Sequence, residues 1–265
     1  MNRSKVVIGI FVALILIVIA IVLLACTVFV VRDVTVESEV SSGLIDTDEI
    51  IESSGLTIGR SIISINKETI KNSIEKQNPY VEVLGIRRIF PNKIVISTTI
   101  RTGIMLVSSA DNGACALIDS SMKILNIIPA SGAYSNVTAV SGIAFEMPAE
   151  GAISAVGTKI VFTDPTCGDV LKEIAECAAN YEISGKRFFT FFKSIAFDKT
   201  DGIKAYIKTN KGVSLVLDKS LPTAVYDQIY YCLFYYSSKD VDIDYTKGYI
   251  LFDKDVNAYI WKETI

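Results

Sequence analysis

Hydrophobic positions fall into two regimes along the chain. From Val6 to Val31 no charged side chain occurs, and Val, Ile, Leu, Ala and Phe make up most of the run. As a helix that stretch is about 39 Å long, against ~30 Å for a bilayer's hydrocarbon core. It predicts a transmembrane helix over 6–31. Beyond it, short segments alternate between periods of two and of three to four. Val34 and Val36 alternate with Thr35 and Glu37, which predicts a strand. Asp46 with Glu49 three places on forms a capping box ahead of Ile50-Ile51, and Gly55 stands where a short helix stops. A second helix begins at Asn66-Lys67-Glu68, carries Ile70 and Ile74 four apart, and ends before Asn78-Pro79. Tyr80–Ile89 and Lys93–Ile100 read as strands joined by a turn at Phe90-Pro91-Asn92. Ile94, Ile96, Thr98 and Ile100 share one face.

The rest of the pattern is less even. Residues 126–168 are rich in Gly, Ser and Ala, with strand-like pieces at Val137–Phe145 and Lys159–Phe162. Asp169–Tyr181 predicts a helix with Val170, Leu171, Ile174, Ala178 and Tyr181 on one side. Strands follow at Phe192–Phe197, Ile203–Lys208 and Val213–Leu217, separated by hairpin signals at Asp201-Gly202 and Asn210-Lys211-Gly212. A further helix, Pro222–Tyr236, is announced by Ser220 and the early proline, with Val225, Ile229 and Leu233 on one stripe. Strands at Tyr249–Phe252 and Ala258–Trp261 end the pattern.

Charge sets the orientation. Arg3 and Lys5 precede the apolar run and Arg32-Asp33 follows it, so the positive-inside rule places residues 1–5 in the cytoplasm and the bulk outside. A cleaved signal peptide has an apolar core of only about 7–15 residues. Leu23-Leu24-Ala25-Cys26 is similar to a lipoprotein cleavage box, but Thr27-Val28-Phe29-Val30-Val31 continues apolar past the cysteine. An uncleaved anchor is the better reading. About 230 residues remain, comfortable for two small domains. The whole chain carries a net charge of −3, which argues against a nucleic-acid interface.

Candidate chemistry is sparse. The chain has no histidine, which excludes Ser-His-Asp and Cys-His catalysis and histidine metal sites within it. Cys115, Cys167, Cys177 and Cys232 show no C-x-x-C pair; spacing allows one disulfide without requiring it, and free buried thiols are favoured. Ser64–Lys67 and Ser120–Lys123 have the spacing of penicillin-binding-protein nucleophiles, but the companion motifs are absent. Asp240, Asp242 and Asp244 would line one face of a strand; Tyr245 stands where a calcium loop needs Gly, so a solvated face is expected. No phosphate- or dinucleotide-binding glycine pattern occurs. Neither an enzyme nor a cofactor is expected. Tyr230-Tyr231-Cys232-Leu233-Phe234-Tyr235-Tyr236 reads as a helix buried on one side, or as an aromatic partner surface. Tyr249, Ile250, Leu251 and Phe252 with Ala258, Tyr259, Ile260 and Trp261 are apolar on both faces. Such strands are either buried in mid-sheet or extended by a partner's strand.

The order strand, helix, helix, strand, strand over 32–102, after one membrane helix, resembles a POTRA domain. The chain as a whole resembles the FtsQ/DivIB family of bacterial cell-division proteins. Val34-Thr35-Val36 matches the family's first strand, and Gly55-Leu56-Thr57-Ile58-Gly59 its step between helices. Asn78-Pro79-Tyr80-Val81 with Ile86-Arg87-Arg88-Ile89-Phe90-Pro91-Asn92-Lys93-Ile94-Val95-Ile96 matches its hairpin. Arg101 is kept where the family has Glu-Arg-x-Pro, without the acid or the proline. Ala116–Asp119 and Met122–Leu125 are similar to the next hairpin, with Ser120-Ser121 replacing its turn glycine. The resemblance implies an α+β architecture: a single transmembrane helix, a POTRA-like βααββ domain over 32–102, and a mixed sheet-plus-helix β domain over 103–265. It implies a membrane-anchored extracytoplasmic scaffold of the division complex at the septum, recruiting or regulating septal peptidoglycan synthesis. Implied partners are FtsB/DivIC-like and FtsL-like bitopic proteins and the septal peptidoglycan synthase, docking at Tyr249–Phe252 and Ala258–Trp261. The rival classes are a membrane-anchored sensor and a cell-wall-binding module.

Overall fold

The computed structural model describes residues 3–39, 45–110, 113–129, 137–180, 182–183, 186–238 and 242–264. The described side chains of helix α1 (Arg3–Thr27), 9–23 and Thr27, are all exposed. Among the described residues no helix is long and apolar enough to cross a membrane; 9–23 span about 22 Å at 1.5 Å per residue. The uncharged run does not stay helical to Val31. Instead Ile62 N–H donates to Phe29 O (3.0 Å), Val31 N–H to Arg60 O and Gly59 N–H to Val31 O (both 2.8 Å), and Val31 is fully buried. Apolarity alone could not separate a helix end from a core strand. Gly59 meets this pairing at φ +89, a conformation that glycine adopts readily.

The chain divides into two compact units, Met1–Arg101 and Thr102–Ile265. After α1, the first holds β1 (Asp33–Ser38), α2 (Thr47–Ser53), α3 (Lys67–Gln77), β2 (Val81–Ile89) and β3 (Lys93–Ile100). The sheet order is β1-β3-β2, with β3 antiparallel to β2 and parallel to β1. Both helices start on capped ends: Asp46 Oδ1 accepts from Asp48 and Glu49 N–H, and Asn66 Oδ1 from Glu68 and Thr69 N–H. Ile50, Ile62, Ile70 and Ile74 close over Ile94 and Ile96 of the central strand. Arg101, immediately past β3, sends Nη2 to Glu75 Oε1 of α3 at 3.2 Å, and that oxygen also accepts Val83 N–H at 3.0 Å.

The second unit holds β4 (Met105–Ser109), β5 (Cys115–Ile118), β6 (Ile124–Ile128), β7 (Thr138–Phe145), α4 (Ala152–Ala155) and α5 (Pro165–Asn180). Short strands β8 (Glu182–Ile183) and β9 (Lys186–Arg187) and a 3-10 turn (Phe188–Phe191) lead to β10 (Phe192–Asp198), β11 (Lys204–Thr209) and β12 (Ser214–Asp218). Helix α6 (Val225–Ser237), β13 (Tyr249–Asp253) and β14 (Ala258–Lys262) complete it. Nine strands form one mixed sheet in the order β14-β13-β12-β11-β10-β7-β4-β5-β6. Helices α5 and α6 share one core with it: Leu171 and Ile174 of α5 and Ile229 and Cys232 of α6 are fully buried with Ile195, Ile207, Leu215 and Ile250.

Several expectations change here. Helix α5 begins at Pro165, because Asp164 Oδ1 accepts Thr166 and Cys167 N–H as a cap. Helix α6 begins at Val225, not Pro222, and Ser220 does not cap it; Ser220 N–H closes a turn on Asp218 Oδ1. Lys159–Phe162 is no strand, only isolated bridges Lys123↔Lys159 and Phe145↔Phe162. In the β5–β6 turn the left-handed residue is Met122 (φ 64), not Ser120 or Ser121; buried Asp119 holds the turn through Ser121 and Lys123 N–H. Asp242–Asp244 lies outside any strand, and Asp240 falls outside the described residues, as does Tyr181.

Candidate partner-binding edge

The predicted site residues come together as a hairpin at one edge of the nine-stranded sheet. Strand β14 is the outermost strand, and β13 separates it from β12. Their register pairs Ile250 with Trp261, Leu251 with Ile260, Phe252 with Tyr259 and Asp253 with Ala258. The alternative of a fully central pair is therefore half met: β13 is internal and β14 is not. Side-chain alternation puts Ile250, Phe252, Tyr259 and Trp261 on the face that carries α6. Tyr249, Leu251 and Ile260 lie on the opposite face, with Tyr249 edge-on to Tyr206 at 6.3 Å between ring centroids.

The hairpin is firmly built. Asp253 is buried and ends β13; its Oδ1 accepts Asp255 and Val256 N–H across the turn, and Oδ2 takes Lys262 Nζ at 2.5 Å. Lys262 first, and then the two N–H groups, hold the Asp253 carboxyl below its ordinary value. Asn257 accepts the left-handed turn position at φ 53, which Asn tolerates better than most residues. The Trp261 indole lies against Gly248 (φ +85), where a Cβ would meet Nε1 at 2.7 Å, and Nε1 donates to Lys247 O at 3.2 Å. Trp261 is thus a structural pin as well as a surface group.

Helix α6 supplies the aromatic wall beside this edge. The Tyr231 ring stacks on Tyr259 at 5.4 Å, and Tyr259 meets Phe252 edge-on at the same distance. Tyr226, Tyr230, Tyr231 and Phe234 remain exposed, Phe234 by 69%. Four exposed aromatics on one helix form a patch of the kind that marks partner contacts, where a single one would not. The Tyr259 hydroxyl is buried with no hydrogen-bond partner, and burial pushes its pKa up. Tyr235 Oη accepts the backbone N–H of Trp261 at 3.2 Å. Tyr226, Tyr230 and Phe234 are spaced by four, which was readable as a stripe; Tyr235's role needs a contact 26 positions away.

Elsewhere the chemistry is quiet. Burial pushes the Cys167 and Cys177 thiols up to about 11 and Cys232 up as well, so all three stay protonated and poorly nucleophilic. Ser64 Oγ donates to Ser61 O, a turn contact. A depression of about 310 Å³ beside the start of α5 is floored by Met122, Ile160 and Phe162. Of its two lysines, Lys172 is paired with Glu176 at 3.7 Å. No cluster of metal-ligating residues occurs among the described residues.

Residues 31–99 match the family described as "POTRA domain, FtsQ-type". These residues are similar to an FtsQ-type POTRA domain. The match begins at the buried Val31 and ends inside β3, so it covers the βααββ unit and its three-stranded sheet. It supports placing the chain in the FtsQ/DivIB family, and a domain of this type suggests a cell-division protein. No curated protein matches the chain.

Proposed function

We propose that this chain is a membrane-anchored, extracytoplasmic scaffold of the bacterial division complex that works through protein–protein contacts and not by catalysis. The FtsQ-type POTRA domain at 31–99 is the observation that carries the reading. The uncharged stretch from Val6 to Val31, with basic Arg3 and Lys5 before it, supports an anchor with its N-terminus in the cytoplasm. Anchoring raises the local concentration of neighbours held in the same membrane, which favours weak extracytoplasmic contacts. The β13–β14 hairpin and the aromatic face of α6 are the docking surface. Strand β14 leaves one edge of the sheet open, and strand addition to such an edge supplies main-chain hydrogen bonds. The partners are FtsB/DivIC-like and FtsL-like bitopic proteins, which connect this chain to the septal peptidoglycan synthase.

The test places a photo-crosslinking residue at Ile260 in the cells' own copy, with a second at the exposed Ile58 as a control. A crosslink from 260 to the FtsB/DivIC-like protein, with a fluorescent fusion gathering at the septum, is the expected result. A fusion spread evenly over the envelope, with no division protein captured at 260, would sink the proposal.

A further inference from the structure

The edge of β14 is not wholly free, and what blocks it is part of the protein itself. In an antiparallel pair, successive residues turn their N–H and C=O alternately toward and away from the neighbour. Ser214 N–H donates to Gly248 O, so Gly248, and by alternation Ile250, face β12. Tyr249, Leu251 and Asp253 therefore face β14 and meet Lys262, Ile260 and Ala258. That leaves Tyr259 and Trp261 with their main-chain groups turned outward. The observed bond from Trp261 N–H to Tyr235 Oη agrees with this parity. One of the outward donors is thus already taken by a side chain that reaches over from α6.

We propose that Tyr235 is a latch on the docking edge: its hydroxyl holds Trp261 N–H until an incoming strand's carbonyl displaces it. This rests on the reading that a partner strand adds to β14. The latch has two consequences. Unbound, it shortens the pairable edge, a protection against edge-to-edge association of copies of this chain. Bound, it favours strands long enough to pair past Tyr259, because a short strand gains nothing to offset the lost hydroxyl bond. Trp261 itself cannot yield, since its indole is pinned to Lys247 O and packed on Gly248. Tyr235 is the movable member, half-buried and near the end of α6.

The experiment exploits a feature of the composition: Trp261 is the chain's one tryptophan. Labelling the full-length protein with 15N-tryptophan in detergent gives one backbone amide signal and one indole signal. Tyr235→Phe removes the hydroxyl and keeps the ring. The Trp261 amide should exchange about tenfold faster or more in the variant, while the indole signal stays in place and reports an intact hairpin. The extracytoplasmic part of the organism's FtsB/DivIC-like protein is the probe for binding. It should bind Tyr235→Phe about three- to tenfold more tightly, the range that one net hydrogen bond allows. An amide that exchanges equally in both proteins would overturn the latch. Equal or weaker binding by the variant, with wild-type binding intact, would overturn it too and leave the docking reading standing. If neither protein binds the probe, the docking reading fails and the latch fails with it.

Discussion

Replacing Arg101 by Met should unlock the end of the first unit. The Arg101 and Glu75 side chains are 6% and 7% exposed and stand 3.2 Å apart. Met keeps most of the buried stem and removes the charge. Glu75 then retains Val83 N–H, and Lys71 Nζ at 3.9 Å on a side chain that is 39% exposed. Glu82, whose side chain is 39% exposed, loses only a weak contact at 3.5 Å. Taking the guanidinium away from a buried carboxylate costs up to about 3–5 kcal/mol. Adding Glu75→Gln should return roughly 2 kcal/mol, because a neutral amide oxygen can still accept Val83 N–H. Hydrogen exchange on peptides from α3 and β2 of the full-length protein reads this unit separately from the second. A change of less than about 1 kcal/mol in that stability for Arg101→Met would rule out a structural role for the buried pair. A double variant no more stable than the single one would rule it out as well.

Two further outcomes follow from buried polar groups in the second unit. Gln228 is 1% exposed and holds both backbone groups of Asp218, through Asp218 N–H to Oε1 at 2.8 Å and Nε2 to Asp218 O at 2.9 Å, and also Thr223 O. Gln228→Leu leaves those groups dry and should cost about 2–3 kcal/mol, lowering the melting temperature of the second unit; an unchanged melting curve would contradict this. Asp253 has its folded-state pKa lowered from 3.8, first by Lys262. Its stabilising contribution is therefore present above the unfolded value and is lost as pH falls through the folded one. Exchange protection of the β13–β14 hairpin should fall away below about pH 4. Asp253→Asn should flatten that acid dependence, and a variant that keeps it would refute the assignment.

Local rules reached most elements because their signals are short-ranged. The alternation in Lys93–Ile100 gave β3 its full extent, and Asp46 and Asn66 marked both helix starts of the POTRA unit through their own caps. Where distant groups decide, local reading failed. Helix α6 starts at Val225 because Gln228, folded back on Asp218 and Thr223, holds residues 218–223 as a turn. The Asp164-Pro165 cap of α5 was legible but hidden within a stretch rich in small residues. Met122 takes the left-handed turn position because Asp119 ties down the chain around it and its side chain fills the core at 5% exposure. The hairpin that forms the candidate edge was half legible. Apolarity on both faces singled out the eight hairpin residues, but period-two patterning carries no information on which strand lies outermost. Nothing near Tyr235 in sequence points to Trp261.

The most direct test of the scaffold reading measures affinity with both proteins full-length in lipid nanodiscs. The FtsB/DivIC-like partner is titrated onto the wild type, Ile260→Lys and Phe234→Glu, with Ile58→Lys as the control. A lysine on an edge strand discourages pairing, and Ile260 is not buried among the helices, so folding should survive. Ile260→Lys and Phe234→Glu should each weaken binding by about tenfold or more, and Ile58→Lys should not. Equal affinities across all four proteins, or no binding by the wild type, would contradict the scaffold reading.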